Sequence, residues 1–199
     1  MTTSILSPHP YTTSRPSDDC ELALVFDTET TGLTLHPDAD LHLQPKVIEF
    51  GGVLISLMDG GVVDEFSILI NPMQPLESII TDITRLTDEL LAPHPPFDAA
   101  WPQIRAFMRR ASCVVAHNLP FDKAVMHSEF RRLGIVDTAW PAREMCTVGV
   151  YTEQWGKMPT LKALHEKVLG TPLVQAHRAI SDVNALVSIV QAERLWELM

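Results

Sequence analysis

Five apolar residues, Leu22-Ala23-Leu24-Val25-Phe26, run without interruption into Asp27-Thr28-Glu29. Such a run reads as a central strand of a sheet covered on both faces. Strands of this kind ordinarily close on turn residues, whereas this one delivers two carboxylates at i and i+2. Side chains alternate faces along a strand, so both acids project from one side. Two like charges held together shift each other's pKa unless something positive lies between them. A hard, oxygen-seeking cation such as Mg²⁺ or Mn²⁺ suits that role.

Two later segments carry acids in comparable settings. Asp122 follows Val114-Val115-Ala116-His117-Asn118-Leu119-Pro120-Phe121, an apolar strand that passes into a helix opened by Asn118 and Pro120. Asp182 closes His177-Arg178-Ala179-Ile180-Ser181-Asp182, just ahead of a helical pattern. Residues five apart on an ideal helix lie about 140° apart, so His177 and Asp182 cannot share a helical face. His177 is therefore expected on the loop leading into the helix, with Asp182 in its first turns. The imidazole is then free to approach a reacting water while the carboxylate stays fixed to the scaffold.

Taken together, these segments resemble the DEDDh group of 3′–5′ exonucleases, which includes the proofreading epsilon subunit of bacterial DNA polymerase III. Asp27-Thr28-Glu29-Thr30-Thr31-Gly32-Leu33 is similar to that family's first motif, His117-Asn118 with Phe121-Asp122 to its second, and His177 with Asp182 to its third. Val47-Ile48-Glu49-Phe50-Gly51 and Leu161-Lys162-Ala163-Leu164 stand where the family has a second strand and a helix, and the resemblance covers roughly Leu22 to Leu195. It implies a ribonuclease-H-like fold and two Mg²⁺ or Mn²⁺ ions. Asp27 would bridge the ions, Glu29 would bind one, Asp182 would complete the first site and Asp122 would support the second. His177 is expected to be the general base, since an imidazole titrates near neutral pH and accepts a proton from water. Thr30, Leu33, His117, Asn118 and Phe121 are expected to contact the substrate, with turn and core packing the competing role for Thr30, Leu33 and Phe121, and local packing or hydrogen bonding that for His117.

The implied substrate is the 3′ end of a nucleic acid, single-stranded DNA in preference to RNA or oligoribonucleotides, with release of nucleoside 5′-monophosphates. A DNA polymerase is an implied partner, and a non-catalytic, polymerase-associated binding module is the weaker alternative. Thr84-Arg85-Leu86-Thr87 stands where family members often carry His-Gly-Ile-Thr, so a histidine that can touch substrate there is absent. The chain ends at Met199, a few residues past the catalytic region, and no polymerase-tethering tail is expected.

With a formal charge of −10 over 199 residues, the chain lacks the basic field usual in nucleic-acid-binding proteins. Two divalent ions would bring that total to about −6 and invert the local field at the acids. Nucleic acid is thus expected to bind weakly and at the metal-loaded cleft, which suits trimming of ends. Hydrophobic residues at 46% and charged residues at 20% fit a globular domain, and no run is long enough to span a bilayer. Cys20, Cys113 and Cys146 have no zinc-like spacing, so a reducing, cytoplasmic setting is the expectation. His36, Asp38, Asp40 and His42 alternate in a proline-flanked loop, which reads as solvated surface ahead of a second metal site.

Residues 1–20, rich in Ser, Thr and Pro, are expected to form a disordered arm, and 21–199 a single exonuclease domain. Strands are predicted over 47–57 and 62–70, joined at Asp59-Gly60-Gly61 as an antiparallel hairpin. Helices are predicted over 76–91 and 101–110, then a strand over 113–116, the helix carrying Asp122, a strand near 144–147, a helix over 160–169 capped by Gly170, and a last helix. The result is an α/β fold: a mixed sheet made of a three-strand antiparallel meander plus parallel strands, flanked by helices.

Overall fold

A computed structural model describes residues 21–174 and 177–199. The expected arm, residues 1–20, lies outside the described residues. Five strands form one sheet in the order β3-β2-β1-β4-β5. β1 (Leu22–Thr30), β2 (Val47–Ser56) and β3 (Val62–Leu69) make the antiparallel meander, while β4 (Cys113–Ala116) and β5 (Arg143–Cys146) run parallel to β1. β1 is thus the middle strand.

Period-two alternation explains how this strand serves both layers. Leu22, Leu24 and Phe26 pack on one side, against α3 (Phe97–Met108) and α4 (Leu119–Leu133), through Trp101, Ile104, Met108, Val125, Met126 and Phe130. Ala23 and Val25 pack on the other, against α5 (Thr147–Trp155), α6 (Leu161–Leu169) and α7 (Ala179–Ala192), through Tyr151, Leu164, Val183, Leu186 and Val190. Continuing the alternation sends Asp27 and Glu29 to the α7 side and Thr28 to the α4 side.

One predicted helix is divided, and one helix is present that the sequence pattern does not predict. Residues 76–91 do not form one helix but two short ones, α1 (Ser78–Thr84) and α2 (Asp88–Leu91). Arg85 ends α1 in the left-handed conformation at φ 62°, and the Thr87 side chain caps α2 by accepting from the Leu90 N–H. α5 is additional, and its sequence explains why. Thr147-Val148-Gly149-Val150 has poor intrinsic helix propensity, and burial of Val148 and Tyr151 overrides it.

Candidate active site

Two carboxylates of the first motif and one of the third converge. Ligand oxygens of Asp27 and Glu29 from β1 and of Asp182 from α7 lie within 4.8 Å of one another, the one such group among the described residues. Asp27 and Glu29 keep part of their surface accessible, whereas Asp182 is 7% exposed. Burial, followed by the charges of Asp122, Glu29, Asp182 and Glu49, holds the Asp27 carboxyl well above the usual carboxylate range. Burial, then the charges of Asp182, Glu49 and Asp122, pushes Glu29 up to about 8. Such a cluster is unfavourable without a counter-charge, and its all-oxygen donor set fits Mg²⁺ or Mn²⁺. The residues present therefore fit the divalent metal that the fourfold acidic pattern implies.

Asp122 reaches the site from α4 and is tied to β1. Its Oδ1 accepts hydrogen bonds from the Thr28 N–H (3.1 Å) and the Thr28 hydroxyl (2.8 Å). Burial pushes its carboxyl up to about 7, against the lowering effect of those two bonds. Thr28 thus anchors one of the clustered acids, a contact the motif alone does not reveal. The available signal was its parity: it stands between two acids but faces the opposite layer.

The third segment folds as its spacing requires. His177 precedes α7 in the loop, at φ 45°, and Asp182 lies in the first turn of the helix. The backbone of α7 comes against β2 at Gly51, the register partner of Asp27. A Cβ there would lie 2.6 Å from Ile180 N and 2.8 Å from the Ala179 carbonyl carbon, so only glycine permits this approach.

His117 has both ring nitrogens engaged. Nε2 lies 3.1 Å from the Pro159 carbonyl, and Nδ1 lies 3.1 Å from the Thr147 hydroxyl. A carbonyl only accepts, so Nε2 carries the proton, and burial lowers the pKa of this imidazole. Asn118 is exposed at the start of α4 and forms no side-chain cap bond. His36 and Asp38 meet at 3.6 Å, but their side chains are 78% and 92% exposed, as expected of solvated surface.

Beside the acids lies a cleft of about 720 Å³, lined by Glu29, Thr30, Leu33, Phe121 and Thr84 among others. Leu33, Ile79 and Ile83 present exposed hydrocarbon to it. Thr30 uses its hydroxyl on the Gly32 carbonyl at 2.8 Å, and Thr84 donates to the Ile80 carbonyl at 2.9 Å and accepts from the Leu86 N–H. The structure thus brings Asp27, Glu29, Asp182, Asp122, Thr30, Leu33 and Phe121 to one end of β1. No described helix is long and apolar enough to cross a membrane.

Comparison with known proteins agrees with this geometry. Residues 24–190 match the RNase_T family model, described as "Exonuclease". The DNA polymerase III PolC-type protein of Bacillus cereus is 32% identical over 165 residues, which cover 83% of this chain and 11% of that protein. The chain thus spans about a tenth of the length of such relatives. Among solved structures, Exonuclease I aligns with a TM-score of 0.71 at 19% identity, covering 89% of this chain and 43% of that one. The nuclease domain of 3′hExo, a DEDDh family member bound to rAMP, aligns at 0.68 and 15% identity, covering 90% and 94%. By its sequence match over 24–190 and its carboxylate geometry, the chain belongs to the RNase_T exonuclease family, as a DEDDh-type phosphodiester hydrolase.

Proposed function

We propose that the chain removes nucleotides one at a time from the 3′ end of single-stranded DNA, releasing nucleoside 5′-monophosphates. The observation that carries this reading is the convergence of Asp27, Glu29 and Asp182 within 4.8 Å, with Glu29 also lining a cleft to which Leu33, Ile79 and Ile83 offer hydrocarbon. Asp27, Glu29 and Asp182, supported by Asp122, would hold two Mg²⁺ or Mn²⁺ ions. Such ions, when bound, supply Lewis acidity and stabilise both oxygens of an in-line phosphoryl displacement. His177 takes the proton of the attacking water, a role served by its place on the loop ahead of α7. Thr30, Leu33 and Phe121 hold the terminal nucleotide, with Leu33 and the α1 isoleucines offering apolar surface to the base. Both nitrogens of His117 are committed, so it locks the β4–α4 junction near Asn118 and Asp122.

The DNA assignment is supported by the PolC-type relatives, and a proofreading or repair role with a polymerase as partner follows from the same likeness. A paired end must first be unstacked, at a cost of a few kcal/mol, and an acidic surface offers little to offset it. Single-stranded or frayed ends are therefore preferred. The test is a side-by-side assay of 5′-labelled DNA and RNA oligomers, single-stranded and blunt, with Mg²⁺ or Mn²⁺. DNA should shorten from its 3′ end, fastest when single-stranded. Faster cleavage of RNA would transfer the assignment to RNA ends, and no cleavage of either would favour a binding module.

A further inference from the structure

Glu49 is a carboxylate in the middle of an apolar strand, with no exposed side-chain surface. A buried acid of this kind is costly unless it is paired and fully hydrogen-bonded. It is. Arg178 donates from Nε to Oε2 and from Nη2 to Oε1, both at 2.9 Å, and the Ala179 N–H donates to Oε2 at 3.2 Å. Two residues separated by 129 positions thus form a bidentate fork, and the same carboxylate receives the first free N–H of α7.

The location of this pair gives it a use beyond stability. Glu49 is the register partner of Glu29, two residues from Gly51, where β2 and the α7 backbone touch. Arg178 directly follows His177, and Asp182 lies within the first turn beyond the anchored Ala179. Asp27, Glu29 and Asp182 crowd three like groups within 4.8 Å, and whenever they ionise their repulsion favours movement of α7 off the sheet. A neutral side chain at either position would remove the ion pair that ties the start of α7 to β2.

We propose that the Glu49–Arg178 pair is a positioning device. It clamps the start of α7 to β2, so that Asp182 is held against Asp27 and Glu29, and His177 turns from a fixed pivot. Neither residue touches the reacting atoms. The catalytic consequence rests on the exonuclease reading, whereas the effect on metal affinity does not.

Glu49→Gln, Arg178→Met, the double variant and Arg178→Lys test it. Each is assayed for kcat and KM on a single-stranded 3′ end, for Mn²⁺ binding by calorimetry without substrate, and for Tm. Outer-shell groups of this type are worth roughly 10–100-fold in metal affinity or activity, and that loss is expected in kcat and in Mn²⁺ affinity for both single variants. KM should stay within about threefold, because terminal-nucleotide contacts are untouched. The double variant should be no worse than the worse single, and Arg178→Lys, which keeps the charge but not the fork, should fall between. Should Arg178→Met not fold, Glu49→Gln and Arg178→Lys carry the comparison. Mn²⁺ affinity within about twofold of the parent in the folded variants would overturn the proposal, however far Tm fell. Independent, multiplying losses in the double variant would overturn it as well. An inactive parent that still binds Mn²⁺ would count against the substrate reading, and calorimetry would then decide the clamp alone.

Discussion

Replacing Glu29 with glutamine should stabilise the metal-free protein, by an amount that grows with pH. Burial and the neighbouring carboxylates push Glu29 from an ordinary 4.5 to about 8. The folded state therefore keeps a proton that the unfolded chain has already lost across that interval. Stability falls as pH rises from about 4.5 to about 8 and is independent of this group outside the window. One unit corresponds to about 1.4 kcal/mol, so roughly three and a half units bound the loss at about 5 kcal/mol. Glu29 keeps some surface in water, and solvent screening brings the expected loss to about 2–3 kcal/mol. For a chain of this size that is about 4–12 °C in Tm. Glutamine keeps the shape and removes the titration. Scanning fluorimetry in EDTA should then give matching Tm values for variant and parent near pH 5, and a variant ahead by that margin near pH 8.5. Saturating Mn²⁺ should raise the parent and erase its deficit. A Tm difference that is independent of pH, or that shrinks as pH rises, would refute the reasoning.

Asp182→Ala should abolish 3′-end cleavage while leaving the metal-free Tm equal to or above the parent's, since a like charge is removed from the cluster; turnover near the parent's level would sink the metal assignment. His177→Ala should lower kcat by roughly 10²–10⁴-fold with Mn²⁺ affinity nearly unchanged; calorimetry showing lost affinity would make it a ligand instead. Thr28→Val removes the 2.8 Å hydroxyl bond to Asp122. It should lower kcat about tenfold at equal substrate KM, and an unchanged kcat would leave that bond without a catalytic part. Gly51→Ala forces a Cβ to within 2.6 Å of Ile180 N. Displacing α7 should destabilise the fold by about 1–3 kcal/mol and weaken Mn²⁺ binding, as measured by urea melts and calorimetry.

Much of the site was legible because it is written in local period. The alternation of β1 put Asp27 and Glu29 on one face, and the five-residue separation put His177 ahead of the helix that carries Asp182. What stayed hidden depends on contacts across the chain. Thr28 meets Asp122 over 94 positions, and Glu49 meets Arg178 over 129. A lone acid within Val47-Ile48-Glu49-Phe50-Gly51 was the visible trace of the second contact. The break at Arg85 escaped because periodicity carries no sign of a left-handed residue, and arginine rarely takes that conformation. α5 escaped for the opposite reason: its propensity argued against it, and packing decided.

The two-piece form of the 78–91 segment bears on how the cleft behaves in time. α1 buries only Thr84 of its seven residues, has no side-chain bond at its N-cap, and carries no charges placed to complement its dipole. Helices this short do not persist on their own, so α1 belongs to the low end of the molecule's range of local opening free energies. Its amides should exchange with deuterium far sooner than those of the fully buried β2. The α1 wall of the cleft is thus a unit that can melt and re-form while the carboxylate-bearing strand stays put. A bound nucleoside 5′-monophosphate should slow exchange in 78–84 and leave β1 and β2 as they were.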